Sequence, residues 1–259
     1  MKANISILAN GKNIRMHWIG WKSVSNMNNN PTFFSIIPAR GGSKRLPNKN
    51  ILPLAGKPLI CYTVEASLQT NRIQKTIVTT DSSQIINIIK DYDIDIIKRP
   101  DYLATDTATT NDVILHVLST LQNQPDFIIL LQPTSPLRNA RHINEAIDLL
   151  LSRNADAVIS VCEMDHSPLW ANTLPENLSM VNFLHDEIKN KRSQDLPTYY
   201  RINGAIYIVN TNRFIRERTI FLEENIFAYI MSIGDSIDID NMYDMKIAEI
   251  IMKDKILDL

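Results

Sequence analysis

Cysteine is nearly absent from these 259 residues. The two present, Cys61 and Cys162, stand far apart inside apolar segments and show no metal-ligand spacing. That argues against a disulfide scaffold or a thiolate metal centre, and predicts buried free thiols in a reducing compartment. Long hydrophobic runs are missing too: no stretch reaches the roughly 18–20 apolar residues that span a bilayer. The opening MKANISILANGKNIRMHWIGWK is broken by Asn, Lys and Arg, which speaks against a secretory signal. An excess of either charge is also lacking. The formal net charge is −1, so no general attraction to nucleic acid or anionic membrane is expected. Neither GxxxxGK[ST] nor GxGxxG occurs, which removes the P-loop reading and weakens a dinucleotide site. A cytoplasmic protein is expected, with one large domain or a domain plus an elaboration.

What is present is concentrated between Ile36 and Asn50, IIPARGGSKRLPNKN. An apolar strand runs into a turn holding two of only seven glycines. Arg40, Lys44, Arg45, Lys49 and, a little later, Lys57 surround that turn. Glycine lets backbone N–H groups approach a ligand closely, and strings of such donors suit phosphate oxygens. Arginine and lysine neutralise charge that backbone dipoles cannot. The loop therefore reads as a polyphosphate cradle. A basic surface loop, with Gly-Gly making the turn, is the alternative for the bare pattern.

Strand and helix signals alternate along the rest. Strands are predicted at 33–38, 75–80, 95–97, 127–131 and 157–161, with helices at 58–68, 82–90, 111–121 and 140–151. Uninterrupted apolar strands separated by helices predict an α/β protein whose parallel sheet is covered on both faces. Ligands in such sheets sit at the carboxyl ends of the strands, where Arg40–Asn50, Asp81, Arg99 and Gln132 all fall. Asp81 suits either a nucleotide site or a strand-end turn beside a helix cap. Two regions break the rhythm. Residues 1–32 include the low-complexity Ser25–Asn30. Met27 is the expected start there, with an N-terminal arm anchored by Trp18 and Trp21 as the competing view. The second break, about 163–200, is polar and proline-containing, as functional insertions often are.

Six blocks carry a resemblance: the loop itself, VTTDS (78–82), KRPDYLATDTATT (98–110), LLQPTSPLR (130–138), RINGAIYI (201–208) and DSIDID (235–240). In this order and spacing the chain resembles the CMP-sialic acid synthetases, the acylneuraminate cytidylyltransferases. The resemblance implies a three-layer Rossmann-like nucleotidyltransferase fold over 33–259. It also implies a projecting dimerisation arm at about 163–200, and hence a homodimer. The implied reaction joins CTP to an acidic nine-carbon sugar and releases pyrophosphate. Residues 1–32 have no counterpart.

That chemistry assigns roles by residue. Arg40, Lys44 and Lys49 would clamp the triphosphate, with Ser43 and the Gly41 and Gly42 amides as donors; Arg40, Lys49 and Asp240 form the catalytic set. By resemblance, Asn50, Arg99 and Thr110 lie on the nucleotide side, and Gln132, Asn203 and Tyr207 near the sugar. Arg192 is the candidate for the sugar carboxylate, since arginine pairs bidentately with such groups. On an extended SIDID segment, Asp238 and Asp240 point to one side and Ile237 and Ile239 to the other. Paired carboxylates are costly to hold close without a cation, and Mg²⁺ (or Mn²⁺) takes one or two of them plus phosphate oxygens. Trp170 follows HSPL where the sialic-acid enzymes often have lysine, which suggests a less polar sugar such as a legionaminic-type acid, or else an interface anchor. Two rivals remain open: a cytidylyltransferase for the eight-carbon acid of lipopolysaccharide cores, echoed by RLP at 45–47, and a non-catalytic nucleotide-binding regulator on the same scaffold.

Overall fold

A computed structural model describes residues 7–9, 12–14 and 30–257 of the chain. The chain divides into two units, 1–30 and 31–259. In the first, β1 (Ile7–Ala9) pairs antiparallel with β2 (Lys12–Ile14). The expected start at Met27 and the Trp18 and Trp21 arm lie outside the described residues.

The second unit opens with β3 (Phe33–Pro38), followed by the glycine loop and a small antiparallel pair, β4 (Pro53–Leu54) and β5 (Lys57–Pro58). Then come α1 (Leu59–Leu68), β6 (Ile73–Thr80), α2 (Ser83–Ile89) and β7 (Asp95–Lys98). Next are α3 (Thr110–Thr120), β8 (Phe127–Leu130), α4 (Ala140–Ser152) and β9 (Ala157–Glu163). The chain finishes with β10 (Tyr200–Asn210), α5 (Thr211–Glu217), β11 (Ile226–Met231) and α6 (Met242–Leu257). Local chemistry marks the helix starts. Ser82 accepts from the Ile85 amide, and Thr109 forms a reciprocal capping box with Asp112. Pro58 was expected inside the first turn of α1 but stands just before it, extended, because it pairs with Pro53.

The seven strands from β3 onward, leaving aside the β4–β5 pair, make one sheet in the order β11-β9-β10-β8-β3-β6-β7. Only β10 runs against its neighbours β8 and β9; the remaining pairings are parallel. Successive strand residues face opposite ways, and the core divides accordingly. Phe33, Ile37, Val78, Ile129 and Val158 pack in one cluster with Val64 of α1 and Ile147 of α4. Ile36, Ile77, Ile128, Leu130 and Ala157 pack in a second with Ile114 and Val117 of α3 and Phe214 of α5. The result is a three-layer α/β sandwich, which is why its strands read as continuous apolar runs. A third cluster, of Leu46, Leu54, Leu59, Leu137, Ile239, Met245 and Ala248, ties α6 and the chain before it to the glycine loop.

Between β9 and β10 the chain leaves the sheet through residues 164–199, whose only regular pieces are single 3₁₀ turns at Pro168–Trp170 and Ser193–Asp195. The stretch falls within the expected insertion at about 163–200. Leu174, Leu178, Met180 and Val181 are exposed along it. No helix among the described residues is long and apolar enough to cross a membrane.

Truncating a residue that packs in the first cluster tests the layer assignment. Ile129 is fully buried in the central strand β8. Ile129→Ala should lower unfolding free energy by about 2–5 kcal/mol, read from the midpoint of urea denaturation at an unchanged slope.

Candidate active site

Six parallel strands, β3, β6, β7, β8, β9 and β11, finish at the same edge of the sheet, and antiparallel β10 begins there. A cavity of about 360 Å³ opens at that edge. Arg40, Gly42, Ser43, Lys49 and Asn50 line it from the glycine loop, Arg99 and Thr110 from the far side, and Gln132, Asp238 and Asp240 from the floor and rim. Segments far apart in sequence thus meet because their strands end together.

The glycine loop is held from behind. The Gly41 amide donates to Asp81 Oδ1 at 3.0 Å, and a Cβ at Gly41 would stand 2.9 Å from the Ser82 Cβ. Glycine is required there for close approach rather than for backbone freedom. Asp81 therefore braces the loop from the β6–α2 turn. Asn50 Nδ2 donates to the Arg40 carbonyl at 2.9 Å, closing the loop on itself.

The loop cations are paired across the cleft. Arg40 and Lys44 each meet one oxygen of Asp106 at 2.7 Å. Arg45 meets Asp240 Oδ2 at 2.7 Å. Lys49 donates to the Ile239 carbonyl at 2.6 Å and to Asp240 Oδ1 at 3.1 Å. Lys44, and after it Arg40, holds the Asp106 carboxyl below the usual carboxylate range. Asp106 was missed in the sequence reading; its signal was an acidic residue inside the otherwise neutral TDTATT stretch facing a cationic loop.

Asp238 and Asp240 lie on an extended segment outside any strand, anchored by the Ile239 amide donating to the Thr134 carbonyl at 2.8 Å. Ile239 is fully buried and Ile237 packs beside it, so both carboxylates turn to the cavity. Crowding by the cavity wall raises the pKa of Asp238, although the residue stays open to solvent; the Thr134 hydroxyl opposes the shift and the charge on Asp240 adds to it. Among the described residues no three His, Cys, Asp or Glu side chains converge on one point. The donor set is two carboxylates at the cavity, with Asp240 shared with Arg45 and Lys49, which fits a hard divalent cation completed by substrate oxygens and water once those pairs part.

Arg99 is buried, donating to the Thr79 carbonyl at 2.9 Å and the Leu103 carbonyl at 3.5 Å. Burial lowers its pKa, with Asp81 partly opposing. It lines the cavity while stitching β6 to the strap after β7. Arg138, also missed, is fully buried; it donates to Thr63 Oγ1 at 2.7 Å and reaches the Gln132 carbonyl at 3.4 Å. Burial pushes its pKa down to about 9.

Several candidates are not gathered here. Lys44 reaches Asp106 from the outer side of the loop, and Gly41 lies behind it. Asn203 is buried in the β10 bulge, where Ser160 Oγ lies 2.6 Å from its Oδ1 and its Nδ2 donates to Ser236 Oγ at 2.9 Å. Tyr207 is buried in the second core cluster, edge-on to Phe221; burial, with the Asp238 charge second, raises its pKa. Arg192 lies on the insertion, away from the cavity. The bulge accounts for the glycine in the RINGAIYI block. It carries Gly204 at φ +77°, where a Cβ would stand 2.7 Å from Gln132 Oε1. The backbone angle favours glycine, and any other residue would also have to push the Gln132 amide aside.

A family model described as cytidylyltransferase matches residues 34–255. The chain is 39% identical over 222 residues to N-acylneuraminate cytidylyltransferase of Escherichia coli O18:K1:H7, covering 85% of this chain and 52% of that protein. It is 34% identical to CMP-N,N'-diacetyllegionaminic acid synthase of Legionella pneumophila, covering 85% and 95%. It is 30% identical to pseudaminic acid cytidylyltransferase of Campylobacter jejuni, covering 84% and 95%. The chain spans about half the length of the N-acylneuraminate enzymes it matches. In fold it is similar to a CMP:2-keto-3-deoxy-manno-octonic acid synthetase complexed with CTP, with a TM-score of 0.65 at 18% identity over 86% of this chain and 99% of that one.

Gly204→Ala should displace the Gln132 side chain and strain the bulge. The expected result is a melting temperature lower by several degrees and a kcat/KM down at least tenfold; an unaltered variant would remove Gly204 from the support of the floor.

Proposed function

Since this chain belongs to the cytidylyltransferase family, in the group that includes the N-acylneuraminate and diacetyllegionaminate enzymes, we propose that it activates a nonulosonic acid with CTP. The observation that carries this reading is the meeting of the glycine-loop cations with Asp238 and Asp240 around one cavity. The sugar's anomeric hydroxyl oxygen attacks the α-phosphorus of CTP. A new P–O bond forms as the hydroxyl proton passes to solvent, the bond from that phosphorus to the bridging oxygen breaks, and pyrophosphate leaves with that electron pair. Charge on the phosphoryl oxygens and leaving group must be met by preplaced cations, because positioning and electrostatics supply most of the acceleration.

Arg40 and Lys49 reach the cavity from opposite ends of the loop, so they can bind separate parts of the triphosphate. Ser43 and the Gly42 amide add neutral donors. Lys49 is mostly shielded, with its side chain 14% exposed, which strengthens its pull on a phosphate. Asp238 and Asp240 would hold Mg²⁺ or Mn²⁺, which supplies charge neutralisation to the phosphates when bound. Arg99 and Thr110 border the side that would take the nucleoside, and Gln132 borders the sugar. Asn203 and Tyr207 would then act on the sugar side through the bulge and the floor. Arg192 would reach a sugar carboxylate only from the insertion, which suits donation to a neighbouring subunit.

The partner in this reading is a second copy of the chain, docked through the exposed Leu174, Leu178, Met180 and Val181 of the insertion. Trp170 sits in a 3₁₀ turn of the same segment and is the basis for preferring a legionaminic-type substrate. The catalytic unit would be 33–259, working in the cytoplasm, where buried Cys61 and Cys162 stay reduced.

Pyrophosphate release should require CTP, a divalent cation and one acid from a panel of N-acetylneuraminate, legionaminate, pseudaminate and the eight-carbon core acid. Legionaminate should give the highest kcat/KM, EDTA should stop turnover, and silence across the panel would refute the activity. Lys49→Ala and Asp240→Ala should each lower kcat by about 10²–10³-fold in folded protein; near-normal turnover would remove that residue from the mechanism. In sedimentation equilibrium the chain should be a dimer and Val181→Asp a monomer, whereas a monomeric parent chain would refute the second copy.

A further inference from the structure

One carboxylate stands where a phosphate would have to go. Asp106 lines the cavity with Arg40 and points its two oxygens at two different cations, Oδ1 to Arg40 and Oδ2 to Lys44, each at 2.7 Å. Two neighbouring oxygens spanning an arginine and a lysine is the contact pattern of a phosphate group. The pair is solvent-accessible, with side-chain exposures of 36% for Arg40, 43% for Asp106 and 81% for Lys44. An incoming anion can therefore reach it.

The other carboxylate near the loop shows what a brace looks like. Asp81 sits behind the loop, is absent from the cavity wall and accepts a backbone amide, so no ligand needs to displace it. The strap that carries Asp106 does not depend on that side chain for its shape. The Ala104 amide donates to the Asp101 carbonyl, the Ala108 amide to the Thr105 carbonyl, and Thr105 and Thr107 share a hydroxyl contact at 3.1 Å. Arg99 ties the strap down through the Leu103 carbonyl, and Thr109 caps α3.

We propose that Asp106 is an internal placeholder for the polyphosphate: its carboxylate holds Arg40 and Lys44 in place, yields them to the phosphates of CTP, and takes them back as pyrophosphate leaves. This rests on the CTP reading of the cavity. It adds that affinity is set by exchange of one anion for another rather than by filling a bare cationic site. The exchange keeps like charges from repelling one another while the site is empty, and it weakens the hold on a small product anion. No covalent step is involved.

The test is the sign of a change in affinity. Calorimetric Kd values for CTP with Mg²⁺, and for inorganic pyrophosphate, would be measured for the parent chain, Asp106→Asn and Asp106→Ala. Exposed ion pairs are weak, so loss of the two should tighten both ligands about three- to tenfold. The gain should shrink in high salt. A merely structural Asp106 would give the opposite sign, since a slack loop binds anions less well. Unchanged or weaker binding in both variants overturns the proposal while CTP binding by the parent chain keeps the functional reading. Tighter pyrophosphate binding without CTP binding by the parent chain would sustain the placeholder and sink the nucleotide. A parent chain that binds neither ligand sinks both, and loss of fold in both variants marks Asp106 as a brace and overturns the proposal.

Discussion

Four cations within ten residues, Arg40, Lys44, Arg45 and Lys49, impose the constraint on which the site depends. Their like charges repel, and a loop that concentrated them without counter-ions would open. The fold meets this with two carboxylates from remote segments: Asp106 takes Arg40 and Lys44, and Asp240 takes Arg45 and Lys49. Each exposed pair is worth little alone. Their value is geometric, since they keep the cations gathered at the one sheet edge where a polyanion can replace a carboxylate.

The sheet makes that gathering possible. Parallel strands deliver the glycine loop, the Asp81 turn, Arg99 and Gln132 to one edge, and β11 delivers the SIDID segment to the same place. The single antiparallel strand has a separate task. Its bulge, fixed by Asn203 and Ser160, brings Gly204 against Gln132, and a Cβ there would stand 3.8 Å from Asp238 Oδ2. A residue that never lines the cavity, Asn203, can thus control two that do. The same logic applies to Arg138, whose buried guanidinium bonds Thr63 and reaches the Gln132 carbonyl.

Much of this was legible in the chain. Runs such as FFSIIP and FIIL announced strands buried on both faces, and the structure supplies the two clusters that bury them. The helices expected at 82–90 and 111–121 form close to those bounds, and the structure shows Ser82 and Thr109 capping their starts. The alternation in SIDID correctly separated buried isoleucines from cavity-facing aspartates, although no strand forms there. Residues such as Asn203 were harder. A polar side chain in an apolar block suggests a ligand contact as readily as a bulge, and its bonds to Ser160 and Ser236 exist only once the strands have paired.

By itself, then, the sequence determined the layered α/β architecture, the cationic loop and the family, because these rest on periodicity, glycine geometry and ordered motifs, all of which are local. Only the tertiary structure decided which carboxylates answer which cations. Arg40 meets Asp106 across 66 positions and Arg45 meets Asp240 across 195. No local pattern encodes such a pairing. It follows from strand order, since an ion pair needs its charges within a few ångströms and chain distance says nothing about that separation until the sheet has assembled.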